Sequence, residues 1–482
     1  MNEPRNLSLV MDFYELTMSQ VYFNDNKQDM EAVFDIFYRR NPDNGGFAVF
    51  AGLEQVIDYV KNLHFSAEDI AYLRSLNQFT DEFLDYLSTI RFTGDLWSIP
   101  EGTPVFPHEP LIRVKAPIIQ AQLLETALLL AINHQTLIAT KARRVVQASE
   151  GRAVMEFGAR RAHNFDAAIE GARAAYLAGC AGTATTYAGQ QYGMPVLGTM
   201  AHSFVQTYPS EYDAFLAYAK KYPNACTLLI DTYNTLHSGL PNAIKVAKDY
   251  LEPNGFRLKG VRIDSGDMAY LSKKIRRQLD ENGMQDCAIV VSNSLDEYLI
   301  DSLIHQQGAK IDSFGVGENL ICSKNSPVFG GVYKMSAVKE NETWTPKIKI
   351  SENDEKTTNP GFKDLYRILD KEEGKAMADV ITLHEEVLDP EQDLTIYHPM
   401  KKWKYKTIPG GTYELRLLLV QIFKNGKLVY DQPTLEGMRA YSKREMDTLW
   451  DEIKRFVNPQ EYYVDLSEKL LDLKLDMLEK LK

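Results

Sequence analysis

Leu258-Lys259-Gly260-Val261-Arg262-Ile263 is a short, mostly apolar run that stops abruptly at Asp264-Ser265-Gly266-Asp267. A buried parallel strand reads this way: apolar along its length, then polar and flexible where the chain leaves the sheet. Working outward, the cadence repeats. The runs Ala153–Phe157, Pro195–Leu197, Thr227–Ile230, Ala288–Val291 and Ile311–Phe314 share its character, and a weaker run surrounds Cys180–Thr183. Between them lie helical stretches with readable ends. Asp166 can cap a helix through Ala178, with Gly179 at its C-terminal end. Ser210 with Asp213 forms a capping-box-like start, and Pro223 follows the end. Ser294 with Glu297 repeats the start signal, and Gly308 follows that helix.

Strands that alternate with helices every ~16 to 33 residues imply parallel pairing through crossover helices. About seven such units suit a closed or nearly closed α/β barrel better than an open sheet. Either architecture places its chemistry at the carboxyl ends of the strands. Before this core, Met1 to about Ile132 mixes short strands with helices, and an apolar helix is expected from Gln120 to about Thr140. After Lys334 the chain is charged and irregular. Lys339–Lys356 reads as hairpin and loop, Tyr413–Phe423 as one strand, and Ser467–Lys482 as an amphipathic helix.

Composition narrows the function. The 482 residues carry a net charge of −12, which argues against general nucleic-acid binding. It does not exclude a phosphorylated small substrate, because arginines and metal ions can dominate the field of one cleft. Four widely separated cysteines form no C-x-x-C pair, so neither zinc nor a disulfide framework is expected. No secretory h-region follows Met1–Arg5 and no run of 18 apolar residues occurs, so a cytoplasmic protein without membrane spans is expected. There is no Walker A loop, no G-x-G-x-x-G opening a helix after a strand, and no G-x-S-x-G elbow.

The strand ends hold the candidates. Phe157-Gly158-Ala159-Arg160-Arg161 follows the first run, and Gly198-Thr199-Met200-Ala201-His202-Ser203 follows another. Asp231-Thr232-Tyr233, Ser292-Asn293-Ser294 and Gly315-Val316-Gly317 end three more. Gly315 and Gly317 let backbone N–H groups approach a phosphate, though a plain turn needs the same residues. Asp264 and Asp267 suit Mg²⁺ or ribose hydroxyls, and Asp267 equally suits a helix cap. Asp231 ends an apolar strand. Arg160 and Arg161 are adjacent, so in an extended segment only one faces the cleft; either could hold carboxylate or phosphate, or a surface ion pair. Phe157 reads as a stacking face or as core, and His202 as a chemical group or a hydrogen-bonded structural one.

Together these segments resemble the nicotinate phosphoribosyltransferase family over nearly the whole chain. Asp12-Phe13-Tyr14-Glu15-Leu16-Thr17-Met18, Phe37-Tyr38-Arg39-Arg40-Asn41-Pro42 and Phe47-Ala48-Val49-Phe50-Ala51-Gly52-Leu53 are similar to its opening blocks. Glu156–Ala162, Gly198–Ser203, Arg262–Asp267 and Phe314–Gly317 are similar to its central motifs, in the same order. The resemblance implies an irregular (β/α) barrel of the type II phosphoribosyltransferase kind, with a second α+β domain formed by both chain ends. The division expected is 1–135, 136–340 for the barrel, and a 341–482 segment packing with the N-terminal domain.

It further implies a homodimer with shared active sites, Mg²⁺, phosphoribosyl pyrophosphate and nicotinate as substrates, and ATP as co-substrate through a phosphohistidine at His202. The ring would lie between Phe157 and Tyr14 of a second copy, with Arg160, Thr199 and Arg262 as contacts. Asp264, Ser292, Asn293, Gly315 and Gly317 map onto the ribose-phosphate region; beside the resemblance, the chemistry calls for a catalytic carboxylate such as Asp231 or Asp264 to steady oxocarbenium character on the sugar. The related nicotinamide enzyme carries an aspartate after a Gly-Thr pair, whereas Gly182-Thr183 is followed here by Ala184, which favours an anionic base. The alternatives are a nicotinamide or quinolinate phosphoribosyltransferase, and a non-catalytic nucleotide-binding barrel.

Overall fold

The structure is a computed structural model describing residues 5–340, 342–353 and 356–481. It divides into two compact units, Ile138–Pro327 and a second made of Met1–Leu137 with Val328–Lys482. The end-built unit begins at Val328 because Gly331–Glu340 pairs antiparallel with Glu31–Tyr38, three hundred residues earlier in the chain.

In the central unit six strands form one parallel sheet. Their order is Gly182–Thr183, Ala153–Glu156, Ser313–Val316, Ala288–Ser292, Gly260–Ile263 and Thr227–Leu229. Every neighbouring pair is parallel. Val154, Leu228, Val261, Ile289, Val291 and Phe314 are buried, as strands covered on both faces require. The Pro195–Leu197 run contributes a single parallel bridge, Val196 to Thr183.

Several helix starts differ from the sequence reading. The Phe165–Leu177 helix is capped by Asn164, whose side chain accepts from Ala167 N, and Asp166 lies in the first turn, favourable to the helix dipole. The helix expected from Ser294 begins instead at Glu297 with Asp296 as cap. Asn293 and Ser294 both adopt positive φ, 91° and 54°, so the strand first makes a left-handed turn. Glu297 is then no capping partner: it is buried between Lys141 Nζ at 2.9 Å and Arg144 Nε at 2.8 Å. The apolar helix near residue 120 is two helices, Ile118–Gln122 and Glu125–Ala148.

The end-built unit holds a seven-stranded antiparallel sheet, a six-stranded mixed sheet and a two-stranded pair. The single strand expected at Tyr413–Phe423 is two. Tyr413–Leu417 pairs with Lys363–Asp370 in the six-stranded sheet, while Val420–Lys424 pairs with Asp95–Ser98 in the seven-stranded one. Leu418 and Leu419, both buried, carry the chain from one sheet to the other. The final helix is Glu468–Lys480, capped by Ser467; Lys482 lies outside the described residues, as do parts of the Lys339–Lys356 stretch.

Candidate active site

Side-chain contacts join several of the polar residues that end the parallel strands. Ser292 Oγ donates to Asp264 Oδ1 at 2.5 Å, joining two neighbouring strands. Asp264 N and Ser265 Oγ both donate to Asp231 Oδ2, at 2.8 and 2.7 Å. Arg262 Nη1 donates to Thr199 Oγ1 at 2.8 Å, and His202 Nδ1 lies 3.1 Å from Thr232 Oγ1. Thr199 and His202 belong to the segment running on from Val196 at one edge of the sheet, while Thr232 follows the strand at the other. Side chains, with no ladder, thus bring the two edges together, which makes the barrel irregular.

Two atoms of these residues are left over. Asp231 Oδ1 and Arg262 Nε are buried without a hydrogen-bond partner. Orphaned polar atoms at a strand end ordinarily await a ligand or water. Burial pulls the Arg262 guanidinium below its usual range; Asp264 and Asp231 act against that, and the charge of Arg160 acts with it. The Arg160–Arg161 segment is one turn of 3₁₀ helix, Ala159–Arg161, and not extended as expected. Adjacent side chains there diverge by about a third of a turn. Arg161 pairs with Glu318 at 3.6 Å on the surface, whereas Arg160 is felt by Arg262.

Phe157 is half-buried at the end of the Ala153–Glu156 strand, its N–H donating to Val316 O at 2.8 Å. A Cβ at Gly315 would come within 2.6 Å of the Phe157 ring, so only glycine lets the ring lie over that strand. Gly317 opens the short Glu318–Ile321 helix as its cap. Asn319 Nδ2 holds the left-handed Asn293–Ser294 turn by donating to Ser294 O at 3.0 Å and Leu295 O at 3.1 Å. Asp267 is a helix cap, accepting from Tyr270 N at 2.8 Å.

No group of three or more His, Cys, Asp or Glu side chains among the described residues could cage a metal alone. Asp231 and Asp264 nevertheless fit Mg²⁺, which takes one or two carboxylates and completes its shell with water and substrate phosphates. The unpartnered Asp231 Oδ1 is a hard oxygen donor of the required kind.

The profile "Nicotinate phosphoribosyltransferase (NAPRTase) family" matches residues 152–383, and the family's N-terminal and C-terminal domain profiles match 9–133 and 362–474. Nicotinate phosphoribosyltransferase of Bacillus subtilis (strain 168) is 42% identical over 477 residues, covering 99% of this chain and 96% of that protein. The chain belongs to the nicotinate phosphoribosyltransferase family. The Homo sapiens nicotinate phosphoribosyltransferase is 31% identical over 520 residues, covering 96% of this chain and 95% of that one. The crystal structure of human nicotinic acid phosphoribosyltransferase superposes with a TM-score of 0.84 at 28% identity, covering 98% of this chain and 100% of that one. The fold is therefore the type II phosphoribosyltransferase one: an irregular α/β barrel with a second domain from both chain ends.

Within this family architecture, Phe157, Arg160, Thr199, His202, Asp231, Arg262, Asp264, Ser292, Asn293, Gly315 and Gly317 all stand at strand ends of the central unit. Tyr14 does not: it is exposed on the Phe13–Asn24 helix of the end-built unit. Burial and nearby Glu125 raise its hydroxyl well above the ordinary value. Ala184 is exposed beside buried Thr183. Three residues carry contacts to which the sequence assigned no role: Thr232, Asn319 and Glu156. Glu156 could have been found, because it is an acid placed in register with buried Val154 on an otherwise apolar strand.

Proposed function

We propose that this chain is a nicotinate phosphoribosyltransferase, joining nicotinic acid to phosphoribosyl pyrophosphate to give nicotinate mononucleotide and pyrophosphate. The observation that carries this reading is the unfinished polar set at the strand ends: Arg262 Nε and Asp231 Oδ1 buried without partners, beside a half-buried aromatic face. An anion and a polyhydroxylated group complete such a set.

In the reaction the ring nitrogen of nicotinate forms a bond to the anomeric carbon as the bond from that carbon to pyrophosphate oxygen breaks. The nitrogen already carries a lone pair, so positioning matters more than base catalysis. Phe157 supplies one aromatic face. Arg262, held by Thr199, receives the carboxylate, with Arg160 adding positive charge. Asp231 and Asp264 stand where oxocarbenium character develops on the sugar. Mg²⁺ on these carboxylates would neutralise charge on the departing pyrophosphate. Ser292, Asn293, Gly315 and Gly317 are assigned to the ribose phosphate.

ATP is the co-substrate, and His202 is phosphorylated. In the tautomer whose Nδ1–H donates to Thr232 Oγ1, Nε2 keeps the lone pair that accepts the phosphoryl group. The added charge then reorganises the neighbouring arginines and substrate phosphates. Tyr14 reaches the base from a second copy. Leu7, Val10, Phe13 and Tyr14 are all exposed, and this apolar strip suits burial in a homodimer. The four cysteines are free thiols, in keeping with the cytoplasm. No helix among the described residues is long and apolar enough to cross a membrane.

The test is mass-resolved product formation from nicotinate and phosphoribosyl pyrophosphate, with and without ATP, for wild type and His202→Ala. Wild type should make nicotinate mononucleotide faster with ATP, and the variant should make it without ATP stimulation. Equal stimulation in both removes His202 from the coupling. No nicotinate product removes the central claim.

A further inference from the structure

Glu156 is 1% exposed, and none of the groups bonded to its side chain is a cation. A buried carboxylate without a counter-ion is costly unless hydrogen-bond donors surround it. Two do. Thr183 Oγ1 donates to Glu156 Oε2 at 2.6 Å, and the Gly158 backbone N–H donates to Glu156 Oε1. The Thr183 hydroxyl also accepts from Thr185 N at 2.9 Å, so its own proton is committed to the carboxylate. Burial pushes the Glu156 carboxyl up, and these two donors hold it down.

The residues tied this way flank the base-binding features. Gly158 follows Phe157 directly, and its turn is wrapped tightly around the acid: a Cβ there would lie 2.8 Å from Glu156 Oε1 and 2.5 Å from Ile321 Cβ. Phe157 is thus pinned on both sides, by its own N–H on Val316 O and by the next N–H on Glu156. Thr183 precedes Ala184, whose N–H donates to the Glu156 backbone oxygen at 2.9 Å. One residue therefore fixes the aromatic face and the rim of the neighbouring strand, where the sequence separates an anionic base from an amide.

We infer that Glu156 is a positioning residue for the pyridine base: its carboxylate clamps the ends of two neighbouring strands and sets the Phe157 ring and the Thr183–Ala184 rim to receive it. This rests on the reading of Phe157 as the face on which nicotinate stacks. Leucine would bury more cheaply but would strand two donors. Glutamine keeps the size yet offers one acceptor and two further donors where only acceptors fit.

The experiment compares Glu156→Gln, Thr183→Val, Phe157→Ala and the Glu156→Gln/Phe157→Ala double variant in steady-state kinetics. The expected result for Glu156→Gln is a nicotinate KM raised about ten- to a hundredfold, with the phosphoribosyl pyrophosphate KM unchanged. Thr183→Val, which removes one of the two donors to the carboxylate and with it the acceptor for Thr185 N, should shift the nicotinate KM in the same direction by less. In the Phe157→Ala background Glu156→Gln should add nothing, because it acts through that ring. Both Michaelis constants rising together, or full additivity in the double variant, would overturn the positioning role. Hydrogen exchange at the Gly158 amide reads the clamp without reference to activity. Faster exchange in Glu156→Gln supports it, and unchanged exchange overturns it. Should Phe157→Ala leave the nicotinate KM untouched while Gly158 exchange is faster, the clamp stands and the stacking reading fails with the inference built on it.

Discussion

Arg367 in the end-built unit and Arg262 in the central unit are both guanidinium groups taken from water, and they are treated differently. Arg367, fully buried, forks onto Asp379, with Nε to Oδ1 at 3.0 Å and Nη2 to Oδ2 at 2.7 Å. Tyr462 OH adds a third bond to the same carboxylate at 2.7 Å. Neighbouring Glu109 is driven well above the ordinary carboxyl range by burial and then by Asp379. Each keeps one unmatched nitrogen, Arg367 Nη1 and Arg262 Nε, but Arg262 has no carboxylate fork, and its guanidinium donates to the Thr199 hydroxyl instead. A guanidinium supplied with its carboxylate holds a fold together. One left without it is set to take a carboxylate from outside.

The sharpest way to break this contrast is to truncate both. Arg262→Ala should lower kcat/KM for nicotinate by on the order of 100- to 1,000-fold while leaving the thermal midpoint nearly unchanged. Arg367→Ala should cost about 3–5 kcal/mol in denaturant unfolding, because it strands a buried carboxylate. Equal losses of stability in the two variants would erase the distinction.

The two units are also proposed to meet in function across copies, Tyr14 from one and Phe157 from the other. Tyr14→Ala and Phe157→Ala enzymes should each lose most of their activity at sub-saturating nicotinate. Mixed in equal amounts with subunit exchange, they should recover about a quarter of wild-type activity, since half of the dimers are mixed and each has one intact site. No recovery would place both residues in the same subunit's site or in none.

A smaller effect tests a buried acid of the end-built unit that lacks an arginine. Glu15 is fully buried, and burial raises its carboxyl to about 7, against the donors Thr126 and Asp12. A raised acid binds its proton more tightly folded than unfolded, so its stabilising contribution is complete below about 4.5 and is lost as pH rises through about 7. Wild type should therefore gain stability over Glu15→Gln, by up to a few kcal/mol, as pH falls from 8 to 5 in denaturant titrations. A pH-independent difference would mean that the donors compensate burial.

The smallest effect concerns the cap of the Phe165–Leu177 helix. Asn164→Ala should cost about 1 kcal/mol, and Asp166→Ala only a few tenths. The reverse order would return the cap to Asp166.

That last pair shows where sequence stops being legible. The parallel strands could be read because burial on both faces makes each a plain apolar run, and a candidate site could be named because polar residues interrupt those runs at their ends. Asn164 and Asp166 carry equal capping chemistry, so spacing alone does not choose between them. Leu415 to Phe423 is continuously rich in strand formers, and nothing in it marks Leu418–Leu419 as a passage between two sheets. The Arg367–Asp379 pair is set by strand register, which places the two directly opposite. Glu156 stands inside a motif whose aromatic and arginine residues suit a ligand directly, whereas its own role depends on the Thr183 and Gly158 donors that only the fold brings to it.

The split of the end-built unit between residues 1–137 and 328–482 also imposes an order in time. The strand Glu31–Tyr38 emerges from the ribosome early, yet its partner Gly331–Glu340 is made three hundred residues later. The central unit, contiguous in the chain, has all its strands by Val316 and can close while synthesis continues. During that interval one edge of Glu31–Tyr38 is unpaired and open to other strands. A newborn chain thus has its chemistry assembled before its scaffold, and the stretch of translation between residues 38 and 331 is when it most needs protection from its neighbours.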